Sequence, residues 1–221
     1  MEIKSQIEPM LTLDYMTTAP ENKYFDRKSA RIKVADLAEL ISAFANAEGG
    51  TVVIGISDKT KRIEGIAQVG EQKINDFLSA PKDYCKPMPQ YKEEFLDVMN
   101  AEGNKDQLLL LHIFSSPEQL IRTKNDLTWL RIGDRTKEIR GEDLRLLEYS
   151  KNTRLYEDEL HPDAAIEDLD ETLLEEYRQR LDADPSTSIE QILRSRGFIK
   201  GDSLTNGAVL LFAKKYLPVL S

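Results

Sequence analysis

The chain lacks the apolar segments and the cysteines that would place it in a membrane or outside the cell. Its wholly apolar runs are short, such as residues 108–111 and 208–213, whereas a helix that crosses a bilayer needs about 20 apolar residues. Residues 1–10 have neither the basic start nor the apolar stretch of a secretory signal. The single Cys85 cannot form an internal disulfide bond. We therefore expect a protein of the reducing cytoplasm.

The motifs of several familiar enzyme classes are also absent. The chain contains no HExxH, CxxC or GxSxG pattern, and no glycine-rich loop followed by Lys-Ser or Lys-Thr. Zinc proteases, dithiol redox proteins, serine hydrolases and P-loop proteins that depend on these motifs are therefore excluded. Gly49, Gly50 and Gly55 form a GGxxxxG pattern. Without the lysine, this pattern favours a helix end and a closely packed strand over a phosphate cradle.

Positive charge is in deficit over the chain as a whole. The 30 basic residues face 39 acidic ones, which gives a formal net charge of −9. Such a charge disfavours non-specific binding of nucleic acid by the whole surface. Any surface that binds phosphate must therefore be local.

Hydrophobic patterning in the first 150 residues predicts an α+β domain. Apolar side chains at helical spacing predict a helix over residues 34–44, which Asn46 and the glycine pair would end. The β-branched segment 51–56, TVVIGI, predicts a central strand that is buried on both faces. Further elements are expected as strands at residues 62–66, 108–114 and 128–133, as a helix over 142–149, and as a short helix around 74–78 that Pro81 would end.

The composition changes after residue 150. Residues 151–200 contain 13 acidic and 7 basic residues and few strand formers, which predicts an acidic, helical connector. Ser188 and Gln191 have the spacing of a capping box and predict the start of a helix. Residues 201–221 are apolar and need a partner surface, so we expect the sequence to be truncated within a further region.

Basic residues form three local clusters. They are Lys23, Arg27, Lys28, Arg31 and Lys33; Lys59, Lys61 and Arg62; and Arg131, Arg135, Lys137 and Arg140. Basic residues on strands and turns can contact phosphates and leave the bases free, as in binding to a nucleic-acid backbone. Acidic neighbours such as Asp134 and Glu138 keep open the alternative of an ordinary solvated surface.

Three carboxylates, Glu21, Asp26 and Asp58, form a candidate metal site. Asp26 precedes the first predicted helix and Asp58 follows the strand after it, so a short return of the chain could bring both to one edge. Carboxylate oxygens suit Mg²⁺ or Mn²⁺. Each residue also suits an ordinary role, in a turn, an exposed loop or an ion pair.

Two segments of the chain together resemble a known domain. They are YFDRKSA…LAELISAFANAEGGTVVIGISDKTKRIEGI and, further along, LTWLRIGDRTKEIRGEDLRLLE. They resemble the Schlafen-type AlbA-like domain, the DNA-binding domain of many prokaryotic transcriptional regulators, some of them helicase-related. The core ISAFAN-x-x-GG-x-x-x-x-G is the most specific part, and the resemblance covers residues 10–150. The tail SLTNGAVLLFAKK resembles the start of the ATPase-like region that follows the domain in such regulators.

The resemblance implies an AlbA-like mixed sheet packed with helices, whose basic face binds nucleic acid, DNA rather than RNA. Lys28, Arg31 and Arg131 match the basic residues of the family, and Arg135 lies beside them. We therefore expect a DNA-binding module of a homodimeric regulator, without enzymatic activity, that contacts phosphates through these four residues. It would comprise the binding domain at 1–150, the connector at 151–200 and the start of an ATP-binding region at 201–221.

Two alternatives follow from other features. In animal Schlafen proteins the same domain is an RNA endonuclease that uses three carboxylates, and the resemblance implies that Glu21, Asp26 and Asp58 match them. Here DRK replaces the usual EFK of the family, and the shorter aspartate would displace a metal ligand. A nuclease dependent on Mg²⁺ or Mn²⁺ is the first alternative. A sensor or protein-interaction domain, suggested by the net charge, is the second.

Overall fold

The structure is a computed structural model that describes residues 11–184 and 186–214. These residues form two compact units, unit 1 up to Lys151 and unit 2 from Asn152 onward. Every helix in the described ranges is too short or too polar to cross a bilayer.

Unit 1 combines helices with two β-sheets. Its elements, in chain order, are α1 (Leu13–Thr18), β1 (Phe25–Lys28), α2 (Val34–Asn46), β2 (Gly50–Ile54), α3 (Gly70–Asp83), β3 (Cys85–Lys86), β4 (Tyr91–Met99), β5 (Lys105–Ile113), β6 (Arg122–Thr123), β7 (Thr128–Ile132), β8 (Arg135–Ile139) and α4 (Gly141–Ser150). The first sheet has the order β1-β2-β5-β4, and β1 and β2 are its parallel pair. The second sheet, β3-β6-β7-β8, is antiparallel. The predicted α+β fold with a mixed sheet is confirmed.

The first sheet is buried on both faces at its centre. β2 lies between β1 and β5, and Val52 and Ile54 of β2 pack into the core that includes α2. Val53 points to the opposite face, where it packs with Phe25 of β1 and Met16 of α1. This double burial explains why the sequence of β2 is continuously apolar instead of alternating.

The helix α2 is central to unit 1 because it contacts both sheets. Nine of its 13 residues are buried. It packs against β2 and β5 of the first sheet, against all four strands of the second sheet, and against α3. A helix at a protein surface buries only one stripe. The enclosure of α2 therefore fixes the position of one sheet against the other.

The connection from α2 to β2 depends on glycine. Gly49 has a φ of +84°, which strains a residue with a side chain, and a Cβ there would lie 2.8 Å from the carbonyl oxygen of Ile113. A Cβ on Gly50 would lie 2.5 Å from the Phe44 ring. Gly55, at the other end of β2, is similarly enclosed. These positions allow close packing of the helix and the strands.

Two of the predicted elements are wrong. Residues 62–66 form a loop instead of a strand, with one bridge between Ile56 and Ile63. The side chain of Asp106 accepts hydrogen bonds from the last amides of this loop, which competes with strand pairing. Pro81 lies inside α3 instead of ending it. A proline so near the end of a helix removes one hydrogen bond without interrupting a longer helical run.

Unit 2 is mainly helical. It contains α5 (Glu171–Arg180), α6 (Ile189–Ser195), β9 (Ile199–Lys200), β10 (Ser203–Leu204) and α7 (Asn206–Phe212). The expected capping box is present at the start of α6, where the Ser188 hydroxyl accepts from the amide of Gln191. Leu174 of α5, Leu193 of α6 and Phe212 of α7 share one hydrophobic core. The domain boundaries at 150 and 200 and the ATPase-like assignment stay predictions, and residues 215–221 lie outside the described ranges.

Asn46 joins the end of α2 to the second sheet. Its side-chain nitrogen donates to the carbonyl oxygens of Ile121 at 2.7 Å and Trp129 at 2.9 Å. Its side-chain oxygen accepts from the amide of Ile121 at 2.9 Å. These contacts are buried, so their loss cannot be compensated by water.

We expect Asn46→Ala to lower the free energy of unfolding by about 3 kcal/mol, because it leaves the buried amide of Ile121 without a partner. Ser42→Ala is the matched control, since Ser42 also donates to the Ile121 carbonyl, at 2.8 Å. Asn46 still bonds that carbonyl in the control, so we expect a loss of about 1 kcal/mol. Urea denaturation measures both losses, and equal losses would contradict the special role of Asn46.

Candidate nucleic-acid interface

The charged residues of β1 point to opposite faces of the first sheet. Side chains alternate along a strand, so Asp26 and Lys28 share one face and Arg27 lies on the other. Arg27 is buried, and its guanidinium donates to the carbonyl oxygens of Thr17, at 3.4 Å, and of Ala19. The expected basic cluster thus loses Arg27, which instead holds the end of α1 against the sheet.

A buried ion pair connects the two sheets. The guanidinium of Arg131 in β7 lies 2.7 Å from the carboxylate of Asp26 in β1, and these side chains are 1% and 2% exposed. Arg131 also donates to the carbonyl oxygens of Asn22 at 2.9 Å and Phe25 at 3.3 Å. Its guanidinium carbon lies 5.0 Å from the centre of the Phe44 ring in α2. The donors of Arg131 are therefore used within the protein.

This burial corrects the expectation that Arg131 contacts phosphate. A phosphate contact needs an accessible guanidinium, whereas Arg131 is enclosed and paired. Asp26 carries a second ion pair, with Lys28. Two cations thus already neutralise the Asp26 carboxylate, and its role in the structure is to hold β1 against β7.

An acidic groove of about 260 Å³ lies beside this ion pair. Its charged lining residues are Glu21, Asp26, Lys28, Asp36, Glu39, Arg131 and Asp134. Burial, followed by the nearby charge of Asp26, raises the pKa of Glu21. Burial, followed by the charge of Asp36, raises the pKa of Glu39. Because acids outnumber bases here, this groove disfavours the binding of phosphate.

The three candidate metal ligands do not meet in one site. Glu21 and Asp26 line the acidic groove, and Lys28 lies 3.8 Å from the carboxylate of Glu21. Asp58 lies in an exposed turn after β2 and is not part of that lining. Among residues 11–184 and 186–214, no group of three His, Cys, Asp or Glu side chains could hold a metal ion.

A second groove, of about 560 Å³, gathers accessible basic residues. Arg31, Arg62 and Lys105 line it together with three carboxylates, those of Glu64, Glu102 and Asp106, and we call it the basic groove after its unpaired cations. Arg31 donates to the side-chain oxygen of Gln68 at 3.0 Å. In the part of the chain that the structure describes, none of the three cations forms an ion pair. Their charges therefore remain available to an external anion.

The acidic residues of the basic groove mostly hold its framework. Asp106 accepts hydrogen bonds from two backbone amides of the loop after β2, both at 3.0 Å. Burial acts to raise the pKa of Asp106, but its backbone hydrogen bonds prevail and lower it below the ordinary value. Glu64 accepts from the hydroxyl of Ser29 at 2.5 Å, and Glu102 lies in the turn between β4 and β5. The first two carboxylates thus fix the loop beneath the cations.

Strand direction explains why the three cations meet. Arg31 follows β1 and Arg62 follows β2, and because these strands are parallel, both residues lie beyond the same end of the sheet. Lys105 begins β5, which is antiparallel to β2 and therefore starts at that end. The turn that carries Lys59 and Lys61 lies beside the basic groove, because Thr60 between them lines it.

Of the predicted phosphate contacts, Arg31 alone lines the basic groove. Lys28 is paired with two carboxylates. Arg135 begins β8 with a side chain that is 89% exposed, 4.0 Å from Asp134. Sequence reasoning missed Lys105. The turn-forming sequence AEGN before it could have indicated a hairpin between β4 and β5.

We expect Arg131→Met to lower the free energy of unfolding by about 3 kcal/mol, because it leaves a buried carboxylate without its main partner. Arg135→Met removes the same charge from an exposed site and should change stability by less than about 0.5 kcal/mol. Chemical denaturation measures both variants. Equal stability of the Arg131 variant and the unmodified chain would contradict the structural role.

The raised pKa of Glu21 predicts a pH-dependent effect of its removal. A native carboxyl with a raised pKa contributes stability at low pH, and this contribution is lost as pH rises through the native pKa. Glu21→Gln should therefore be more stable than the unmodified chain at pH 7, and the difference should shrink as pH falls from neutrality through the raised pKa towards the ordinary value of 4.5. Glu118→Gln, in an exposed loop, is the control for a general loss of charge.

Urea midpoints at several pH values between neutrality and pH 4 measure the effect of Glu21→Gln. A stability difference that grows towards low pH would contradict the assignment.

The part of the chain that matches a known family lies within unit 1. A model of the family described as Schlafen, AlbA_2 matches residues 21–140, which include β1 to β8 and the three cations of the basic groove. No curated protein matches the chain.

Among solved structures, the chain is similar to the crystal structure of the DIP2311 protein from Corynebacterium diphtheriae. The identity is 17% and the TM-score 0.43, and the match covers 86% of this chain and 35% of that one. The chain thus spans about a third of the length of that protein. The family match covers more than half of the 221 residues and is consistent with a nucleic-acid-binding domain. The chain belongs to the Schlafen AlbA_2 family.

Proposed function

We propose that unit 1 binds DNA through the phosphate backbone and does so at the basic groove. One observation carries this proposal. Arg31, Arg62 and Lys105 meet at one end of the strands of the first sheet, and none of them forms an ion pair with a described residue. Paired cations bind phosphate only after their own ion pairs break, whereas these three are accessible at once.

The shape and charge of the basic groove support backbone contact over base readout. The three cations come from separate loops and strand ends, so they do not lie together on one helix or ribbon that could enter a major groove. Phosphate contacts position a protein on nucleic acid without reading its sequence. We therefore propose a module that supplies affinity, within a transcriptional regulator whose other parts supply specificity. The homodimer stays a prediction.

Lys28 and Arg135 are left out of the proposed contact surface. Both have acidic neighbours, and Lys28 is held between Glu21 and Asp26. The nuclease alternative has less support, because Asp58 lies apart from the acidic groove that Glu21 and Asp26 line.

We expect the substitution of Arg31, Arg62 and Lys105 by glutamine to weaken binding to duplex DNA and to flatten its dependence on salt. Each lost phosphate contact reduces the slope of log affinity against log salt by about 0.9, so three contacts reduce it by about 2.7. Fluorescence anisotropy with a labelled duplex at several salt concentrations measures the slope.

Arg135→Gln is the matched control, because it removes one exposed positive charge outside the basic groove. We expect its salt slope to equal that of the unmodified chain. If the triple variant keeps the original slope, or if Arg135→Gln lowers it as much, the basic groove is not the contact surface.

A further inference from the structure

Within residues 11–184 and 186–214, the strand β4 leaves one edge of the first sheet unpaired. It lies last in the strand order and, among these residues, bonds only to β5. Its nine residues pair with β5 in one continuous register, without a bulge, and contain no proline or glycine. Protein edges are usually shortened, bent or covered. β4 has none of these three features, but it carries charged side chains, which also protect edges. Its edge is therefore suited to a strand whose charges complement its own.

The hydrogen-bond pattern shows which residues of β4 face outward. Gln90 accepts from the amide of Phe114 just before the strand, and Asn100 donates to the carbonyl of Asn104 just after it. Bonded and unbonded pairs alternate in an antiparallel ladder, so the even-numbered residues of β4 bond to β5. The odd-numbered residues direct their amides and carbonyls away from the sheet.

The outward residues form a regular chemical pattern on one face. In order they are Tyr91, Glu93, Phe95, Asp97 and Met99, which alternate apolar and acidic side chains. The β5 partners of the first three, Ile113, Leu111 and Leu109, belong to the core that includes α2. Phe95 is 42% and Met99 55% exposed. We call these five residues the β4 edge.

This pattern disfavours a second copy of the chain in the register that would align apolar with apolar side chains. Symmetric antiparallel pairing centred on Phe95 would place Glu93 of each copy opposite Asp97 of the other. Like charges directly opposite each other in a ladder are destabilising. The same two carboxylates would instead attract lysine or arginine on an incoming strand.

We propose that the β4 edge binds an extended, basic peptide segment of a partner protein by strand addition. The outward amides and carbonyls supply backbone hydrogen bonds, and the alternating side chains select the partner. The complementary segment alternates apolar and basic residues on one face, so that apolar side chains meet Phe95 and Met99 and cations meet Glu93 and Asp97. This interaction surface is separate from the basic groove and does not depend on nucleic-acid binding.

The probe is a fluorescent, terminally blocked peptide of sequence LTKTLTKTL, with LTETLTETL as its matched control. Both orientations of the palindromic probe place leucine opposite the apolar and lysine opposite the acidic positions. Anisotropy with the full chain is expected to show at least tenfold tighter binding of the lysine peptide. Hydrogen exchange should show new protection at the amides of Glu93, Phe95 and Asp97 in the complex.

Two variants keep the test decisive. Phe95→Pro removes an outward amide that β5 does not use, and is expected to weaken binding of the lysine peptide at least tenfold. The double change Glu93→Lys with Asp97→Lys is expected to reverse the preference towards the glutamate peptide. Equal affinity for both peptides, absence of binding, or an unchanged preference in the double variant would overturn the proposal.

Discussion

The buried guanidinium of Arg131 is the contact on which the arrangement of unit 1 depends. One side chain from β7 reaches the carboxylate of Asp26 on β1, the backbone around β1 and the ring of Phe44 on α2. It thereby links both sheets to the helix between them. A buried charge is tolerated only when it is paired and fully hydrogen-bonded. The two sheets must therefore meet in the one geometry that satisfies it. Asn46, at the same C-terminal end of α2 as Phe44, adds hydrogen bonds to the second sheet.

This constraint divides the charged residues of unit 1 into two groups. The fold buries Asp26, Arg27 and Arg131 and uses their charges in internal contacts. Beside Asp26 and Arg131 lies the groove in which acidic residues outnumber basic ones. At the end of the sheet where β1 and β2 finish, Asp106 is instead tied to the backbone and Glu64 to Ser29, and the cations remain accessible. Net charge of −9 is thus compatible with a local surface that attracts phosphate.

The sequence predicts the elements whose burial shows in their composition. α2 and β2 could be located because their apolar residues follow helical spacing or form an unbroken run. β1, β4 and β8 could not, because their charged residues hide the alternation: the pattern in FDRK gives no sign that one arginine is buried. The candidate site was only partly predictable for the same reason. Arg31 could be named from its cluster, whereas Lys105 joins it through strand pairing across the chain, and Arg131 becomes buried through an equally distant contact with Asp26.

The most direct test of the proposed binding surface is a nuclear magnetic resonance titration of the ¹⁵N-labelled chain with a short DNA duplex at low salt. The account predicts that amide resonances of residues 59–68 and 102–105 shift as the duplex is added, and that those of residues 36–40 and 133–136, along the acidic groove, stay in place. Shifts confined to the acidic groove, or a spectrum that does not change at all, would contradict it.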